Sequence, residues 1–247
     1  MGTLAQIWRH PIKSHGRERI HSVDLAAMKT MPWDRRWAVA HEAAKTNGSD
    51  WAECVNFSRG SKASELMAIS ATADEAAGTV TLEHPRNGTL TFNPDTEADA
   101  FLAWVKPLMP KNRAQSAQIV RVPDRGMTDT PYPSISLLSF NSLADLGRAM
   151  DADVSMMRFR GNLWLDGFEP WEEFGWVGRE LRIGTAEFTI TAPIERCRAT
   201  TANPETGQYD LNTLATLNGT FGHQDFGVYA TVSKGGLITE TDEVVFL

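Results

Sequence analysis

The 247-residue chain carries 31 acidic and 24 basic side chains, a formal net charge of −7, and is 42% hydrophobic. It is long enough for one large domain or two small ones with a real core, and its acidic balance argues against nucleic-acid binding, which needs a basic face. Two cysteines far apart in sequence, Cys54 and Cys197, exclude a disulfide framework or a cysteine zinc site and fit a reducing cytoplasm; no apolar run approaches the roughly 18 residues that span a bilayer, and the first residues lack a charged-then-apolar signal layout.

In chain order, the first part reads as short strands and turns. Leu4 to Arg9, Arg19 to Leu25 and Trp37 to His41 are β-compatible, and Thr79 to Glu83 and Thr89 to Phe92 flank the turn Pro85-Arg86-Asn87-Gly88. A helix follows, in which Phe101, Trp104, Val105 and Leu108 recur at helical spacing; Asp95 or Thr96 is its expected cap, and Pro107 and Pro110 end it. Residues 111–133 read as an irregular connection with one strand at Gln118 to Val122, which sets the expected domains at 1–122 and 123–247. A second helix is predicted from Ser142 to Met150, with Ser142 and Asp145 as a capping box and Leu143, Leu146 and Met150 as its buried face. Leu181 and Ile183, the turn Gly184-Thr185, then Ala186, Phe188 and Ile190 form a hairpin with period-two alternation. A short helix at Asp210 to Leu217 and strands at Val228 to Val232 and Val244 to Leu247 close the chain. The expected fold class is mainly β (α+β).

The chemistry concentrates around Cys197. An arginine stands on each side, in Glu195-Arg196-Cys197-Arg198, and Asn203-Pro204-Glu205-Thr206-Gly207 follows. Cationic surroundings favour a thiolate, the form that attacks or binds metal; the alternative is a small buried hydrophobe. Three further basic segments lie beside turn residues: Pro11-Ile12-Lys13-Ser14-His15-Gly16-Arg17, Asp34-Arg35-Arg36-Trp37 and Arg158-Phe159-Arg160-Gly161-Asn162. Arginine forks, lysine point charges and turn amides recognise phosphate. Together the four segments imply a pocket for an anionic ligand with one thiol inside it. Walker A, GxGxxG, HExxH and GxSxG motifs are absent, and the six histidines are scattered. Trp164, Trp171 and Trp176 are read as packing, with a pocket wall as the alternative. Cys54 lies outside every motif and is expected to be inert.

The ordered motifs resemble those of MOSC-domain proteins, in the two-part layout with an N-terminal MOSC β-barrel domain. Pro11-Ile12-Lys13-Ser14 resembles the family's P-[VI]-K-S, Asp34-Arg35-Arg36-Trp37 its D-R-x-W strand, and Ser136-Leu137-Leu138-Ser139 with Ser142-Leu143-Ala144-Asp145-Leu146 its L-S-x-x-S-L-x-D-L run. Phe159-Arg160-Gly161-Asn162-Leu163 resembles F-R-P-N-[IVL], Arg196-Cys197 with Asn203 to Gly207 its R-C…D-P-x-T-G signature, and Phe226-Gly227-Val228-Tyr229 its F-G-x-Y. Ile194 replaces the first cysteine of the P-C-x-R-C found in many relatives, and Gly161 replaces a proline.

The resemblance implies an N-terminal β-barrel-like domain and a MOSC β-barrel domain with a few short helices, meeting across a site for the molybdenum cofactor (Mo-molybdopterin). It implies Cys197 as the metal ligand and catalytic residue, and Lys13, Ser14, Arg35, Ser134, Arg160, Asn162, Arg196 and Tyr229 as cofactor contacts, with Ser134 the most loosely aligned. The implied activity is reduction of small N-hydroxylated compounds, with electrons from a separate flavin or iron–sulfur donor protein; the alternative is a cofactor or sulfur carrier that uses Cys197. Neither nucleic acid nor membrane is an expected partner.

Overall fold

The computed structural model describes residues 2–247. The protein is mostly strand, with three short α-helices among the described residues. Its centre is a sheet built from β1 (Gly2–Arg9), β2 (Glu18–Ile20), β9 (Ile135–Ser139), β10 (Leu163–Asp166), β11 (Glu180–Ile183), β12 (Ala186–Glu195), β13 (Asp225–Lys234) and β15 (Glu243–Phe246), in the order β10-β9-β13-β12-β11-β15-β1-β2. β10 also pairs with β1, so seven strands close into a barrel and β2 extends from it. Closure leaves no raw edge on those seven strands. Leu4, Ile7, Leu137, Leu163, Phe188, Ile190, Val228 and Ala230 belong to the barrel's core.

The hairpin β11–β12 forms as the alternation dictates: Leu181 pairs with Phe188 and Ile183 with Ala186, all buried. In β1 the alternation is broken, because Leu4 and Ile7 are three apart. A register shift between Leu4 and Gln6 re-phases the strand, so both reach the core.

A second core lies beside the barrel. β4 (Ala38–His41) pairs with β8 (Ser116–Val120), and β5 (Ser70–Asp74), β6 (Thr79–His84) and β7 (Gly88–Phe92) form a three-stranded meander. The helix α1 (Ala98–Val105) contributes Phe101 and Val105 to this core, against Trp37, Val39, Leu82 and Phe92. A two-stranded ribbon of β3 (Ser22–Leu25) and β14 (Gly236–Thr239) completes the strands. The helix α2 (Phe140–Met150) packs through Leu146 on Leu138, Phe159 and Trp164 outside the barrel. The helix α3 (Thr213–Thr216) runs on into a wider turn, Leu217–Phe221, that ends at Gly222.

Several local expectations are corrected. Neither Asp95 nor Thr96 caps α1; Glu97 occupies that position, and Asp95 accepts hydrogen bonds from Trp37 Nε1 at 2.7 Å and Arg121 Nη1 at 2.9 Å. As expected, the α-helix stops just before Pro107, at Val105; Pro107 sits in a following 3₁₀ turn, Lys106–Leu108, which stops before Pro110. The α2 cap is Ser139, not Ser142. Ser142 is buried inside the helix, donates to Glu173 Oε2 and accepts from Trp171 N, both at 2.8 Å, while Asp145 accepts from Trp171 Nε1. Those two residues therefore dock the 168–176 loop onto the helix. The strand expected from Arg19 to Leu25 is split at His21 between the barrel and the ribbon.

Candidate functional site

Turns at strand ends bring the basic segments to one cavity of about 270 Å³. Lys13 and Ser14 lie just past β1, Arg35 precedes β4, Arg160 precedes β10, and Arg196 and Cys197 follow β12. Tyr229 projects from β13. All seven line the cavity. Ser14, Arg35 and Arg160 hold left-handed backbone, with φ of 64°, 50° and 48°. Such angles are uncommon for non-glycine residues, and backbone strain of this kind clusters at functional sites.

Two buried networks fix the charges. Asp34 accepts from His10 N at 2.8 Å and pairs with the Arg35 guanidinium. Although burial opposes ionisation, Arg35 and His10 hold the Asp34 carboxyl well below the usual carboxylate range. His10 is pushed down to about 3 by burial and by Arg160, and is therefore neutral. Arg35 also donates to the Arg160 carbonyl at 3.2 Å. Lys13 donates to the Met127 carbonyl at 2.9 Å and pairs with Asp129, whose carboxylate is half exposed, so that pair is screened by solvent.

Arg160 differs from the rest. Both its terminal nitrogens are sealed from solvent, yet they meet no acceptor. Burial, with Arg35 and Arg17 nearby, lowers its pKa to about 9. A buried, unpaired guanidinium is costly, and an anion in the cavity would relieve that cost. Tyr229, pushed up to about 12 by burial and Asp129, keeps its phenolic proton as a donor.

The arginines beside Cys197 are both engaged with other groups. Arg196 is buried and donates to the carbonyls of Phe226 and Phe159, the latter at 2.8 Å, so it braces the end of β12. Arg198 lies over the Tyr209 ring at 4.1 Å. Cys197 itself is exposed, at the start of the 3₁₀ turn Arg198–Thr201.

Ser134 and Asn162 do not line the main cavity; with Arg35, Asp129 and Tyr229 they line a small pocket next to it. Asn162 knits three strands together: it accepts from Ser136 N and Oγ and donates to the Trp8 carbonyl at 3.1 Å. Gly161 packs so closely on Leu138 that a Cβ there would lie 2.4 Å from its Cδ1. None of Trp164, Trp171 and Trp176 reaches the cavity; Trp164 and Trp176 are core residues.

Sequence reasoning missed one wall. Cys54, Arg59, Gly60, Ser61 and Met67 line the cavity opened by the motif residues, so Cys54 shares the site with Cys197. No local spacing could reveal this, because the wall is placed by packing between residues more than a hundred positions apart. Arg158 is also present, but it makes a two-pronged ion pair with Asp210, both contacts at 2.8 Å, and braces the 203–210 loop.

No group of three or more His, Cys, Asp or Glu side chains among the described residues is placed to hold a metal. The cavity thus offers one exposed thiol, a sealed cation without a partner and several further donors. That set suits a ligand which carries a negative charge.

Human mitochondrial amidoxime-reducing component 1 is 24% identical over 84% of this chain and 68% of that protein. A molybdenum cofactor sulfurase 2 of Culex quinquefasciatus is 34% identical over 36% of the chain, a stretch that spans 12% of the sulfurase. The crystal structure of the YUAD protein from Bacillus subtilis covers 99% of the chain at 11% identity, 94% of its own length being matched, with a TM-score of 0.49. Residues 1–107 match the MOSC N-terminal beta barrel domain and residues 125–245 the MOSC domain; the chain belongs to the MOSC-domain proteins.

Proposed function

We propose that this protein is a molybdenum-cofactor-dependent reductase of N-hydroxylated compounds that takes electrons from a separate donor protein in the cytoplasm. The observation that carries the reading is the sealed, unpaired Arg160 guanidinium in a cavity whose wall bears Cys197. The human relative's name, which refers to amidoxime reduction, supports the reaction class.

In this reading Arg160 would offset the charge of the cofactor's phosphate, and Lys13, Ser14, Arg35 and Tyr229 would be the further groups that hold it. Cys197 supplies the protein's thiolate ligand to molybdenum. When bound, the cofactor supplies the two-electron redox chemistry. Arg196 acts by bracing the strand end that presents Cys197, Asn162 by fixing the strands behind the cavity, and Ser134 by accepting from Thr130 in the turn that leads into β9. The Tyr229 phenol, kept protonated, holds a proton at the cavity wall.

The test is molybdenum and pterin analysis of protein made in a cofactor-competent host, followed by assay with an amidoxime. We expect near one molybdenum per chain, no turnover with NADH alone, turnover with a strong chemical reductant, and loss of most of the metal in Cys197→Ala. Full molybdenum occupancy in that variant would remove Cys197 as ligand. The exposure of Cys197 favours a second reading, a sulfur carrier. It requires a one-sulfur mass gain on Cys197 after incubation with a cysteine desulfurase, and no reduction with any donor.

A further inference from the structure

The cavity contains more cationic capacity than one anionic group uses. Of its basic side chains, Lys13 is held by Asp129 and Met127, Arg35 by Asp34 and the Arg160 carbonyl, Arg158 by Asp210, and Arg196 by two carbonyls. Two guanidiniums remain without an oxygen partner. One is Arg160. The other is Arg59, which forms no ion pair among the described residues and whose one side-chain contact is from Nη1 to Cys54 Sγ, at 3.1 Å.

Arg59 is held in place. Its carbonyl accepts from Lys62 N and Ala63 N, each at 3.0 Å, in a tight turn. The next residue, Gly60, is buried against the Cys197 loop: a Cβ there would lie 2.5 Å from Met67 Sδ and 3.5 Å from the Cβ of Ala199, two positions after Cys197. The cavity's own carboxylates are directed elsewhere, Asp129 to Lys13 and Glu195 toward Gln224. The wall therefore presents a half-buried, uncommitted fork beside the thiol, while the sealed cation is Arg160.

We propose that Arg59, steadied by Cys54, binds a carboxylate on the substrate, so that anionic N-hydroxylated compounds are the preferred substrate class. This rests on the reductase reading for the reaction, but not for the binding. A planar guanidinium matches a carboxylate with two parallel hydrogen bonds. A charge-assisted contact of this kind contributes about 1.5–3 kcal/mol, which corresponds to roughly a 10- to 100-fold preference.

The experiment uses molybdenum-loaded protein with a chemical reductant and two probes, benzamidoxime and 4-carboxybenzamidoxime. The carboxylated probe should show a kcat/KM at least about tenfold higher. Arg59→Gln, which keeps the packing of the side-chain stem, should bring the ratio near one, and Arg59→Lys should restore part of it. Calorimetric titration of 4-carboxybenzamidoxime without any donor should show binding that weakens by a similar factor in Arg59→Gln. A ratio that Arg59→Gln leaves unchanged overturns the proposal and spares the reductase reading. A fall in molybdenum and pterin content in Arg59→Gln also overturns it, since Arg59 would then belong to the cofactor. If neither probe is reduced, yet calorimetry shows Arg59-dependent binding, the reductase reading falls and the carboxylate site stands.

Discussion

Arg160 carries opposite consequences for stability and for binding. With both terminal nitrogens sealed and unpartnered, its charge destabilises the unliganded fold. Replacing an uncompensated buried charge with an apolar side chain of similar length should stabilise the unliganded protein by about 1–4 kcal/mol. We therefore expect Arg160→Met to raise the urea midpoint of cofactor-free protein while it loses cofactor retention, and Arg160→Lys to retain cofactor only in part. A lowered midpoint in Arg160→Met would mean that the guanidinium is structural. His10 and His15 give a second residue-scale expectation. Burial, with Arg160 nearby, pushes His10 down to about 3 and His15 to about 4, against 6.5 for the free side chain. Both are neutral in the fold and protonate more readily in the unfolded chain. The stability they contribute is present above about pH 6.5 and is lost as pH falls from there toward 4, by up to about 1.4 kcal/mol per pH unit for each. Urea unfolding between pH 7.5 and 4.5 should show that slope, and a His10→Gln/His15→Gln double variant should flatten it.

At the scale of elements, β13 depends on one glycine. Gly227 has φ of +75°, and a Cβ there would lie 2.6 Å from the Leu137 carbonyl oxygen of the neighbouring strand. The irregularity turns Phe226 into the cluster outside the barrel, while Val228 faces the barrel core and Tyr229 the cavity. Phe226 also supplies a carbonyl that anchors Arg196. Gly227→Ala should cost more than the roughly 1 kcal/mol of left-handed strain alone, because backbone must move, and it should lower cofactor content too. Gly88→Ala is the control: its φ is +70° but nothing lies within 4 Å of the added Cβ, so its cost should be the strain alone, read from the same denaturation curves. Gly227 lies within a legible motif, whereas the strand next to it, although its residues form part of a motif, carried no strand signal. β9 is buried at every position, because the barrel covers one face and the α2 layer the other, so it lacks the alternation that exposed the β11–β12 hairpin. β14 is four residues long, too short for a periodic signal. The cavity divides in the same way. Lys13, Ser14, Arg35, Arg160, Arg196 and Cys197 were legible because each lies in a short run of turn residues and charges, whereas Tyr229 was reached only through the family resemblance. Cys54 and Arg59 were not, because their place depends on Gly60 meeting Ala199 across a long loop of chain.

For the whole molecule, the cavity is a joint product of both halves of the chain. Residues 13–67 supply one part of its wall and residues 129–229 the other, and Arg17 ties them by donating to the carbonyls of Met67 and Pro204 at 2.8 and 2.9 Å. We propose that the chain is two folding units divided near 122/123, with β1 to β3 lent by the first unit to the second. β1 pairs with β10 on one side and β15 on the other, and it places Leu4 and Ile7, both without solvent exposure, in the barrel core. Without it, residues 123–247 would keep six barrel strands as an open sheet with two unpaired edges, a template for aggregation, and a core missing two buried aliphatic side chains. Removing a single such side chain already costs about 2–5 kcal/mol, against a total stability of about 5–15 kcal/mol for a domain. We therefore expect the isolated 123–247 fragment to lack a cooperative unfolding transition and to bind no cofactor. Co-expression with residues 1–122 should recover a soluble complex with a cooperative transition. A 123–247 fragment that unfolds cooperatively on its own, followed by circular dichroism in urea, would show that β1 is an accessory to the barrel rather than one of its staves.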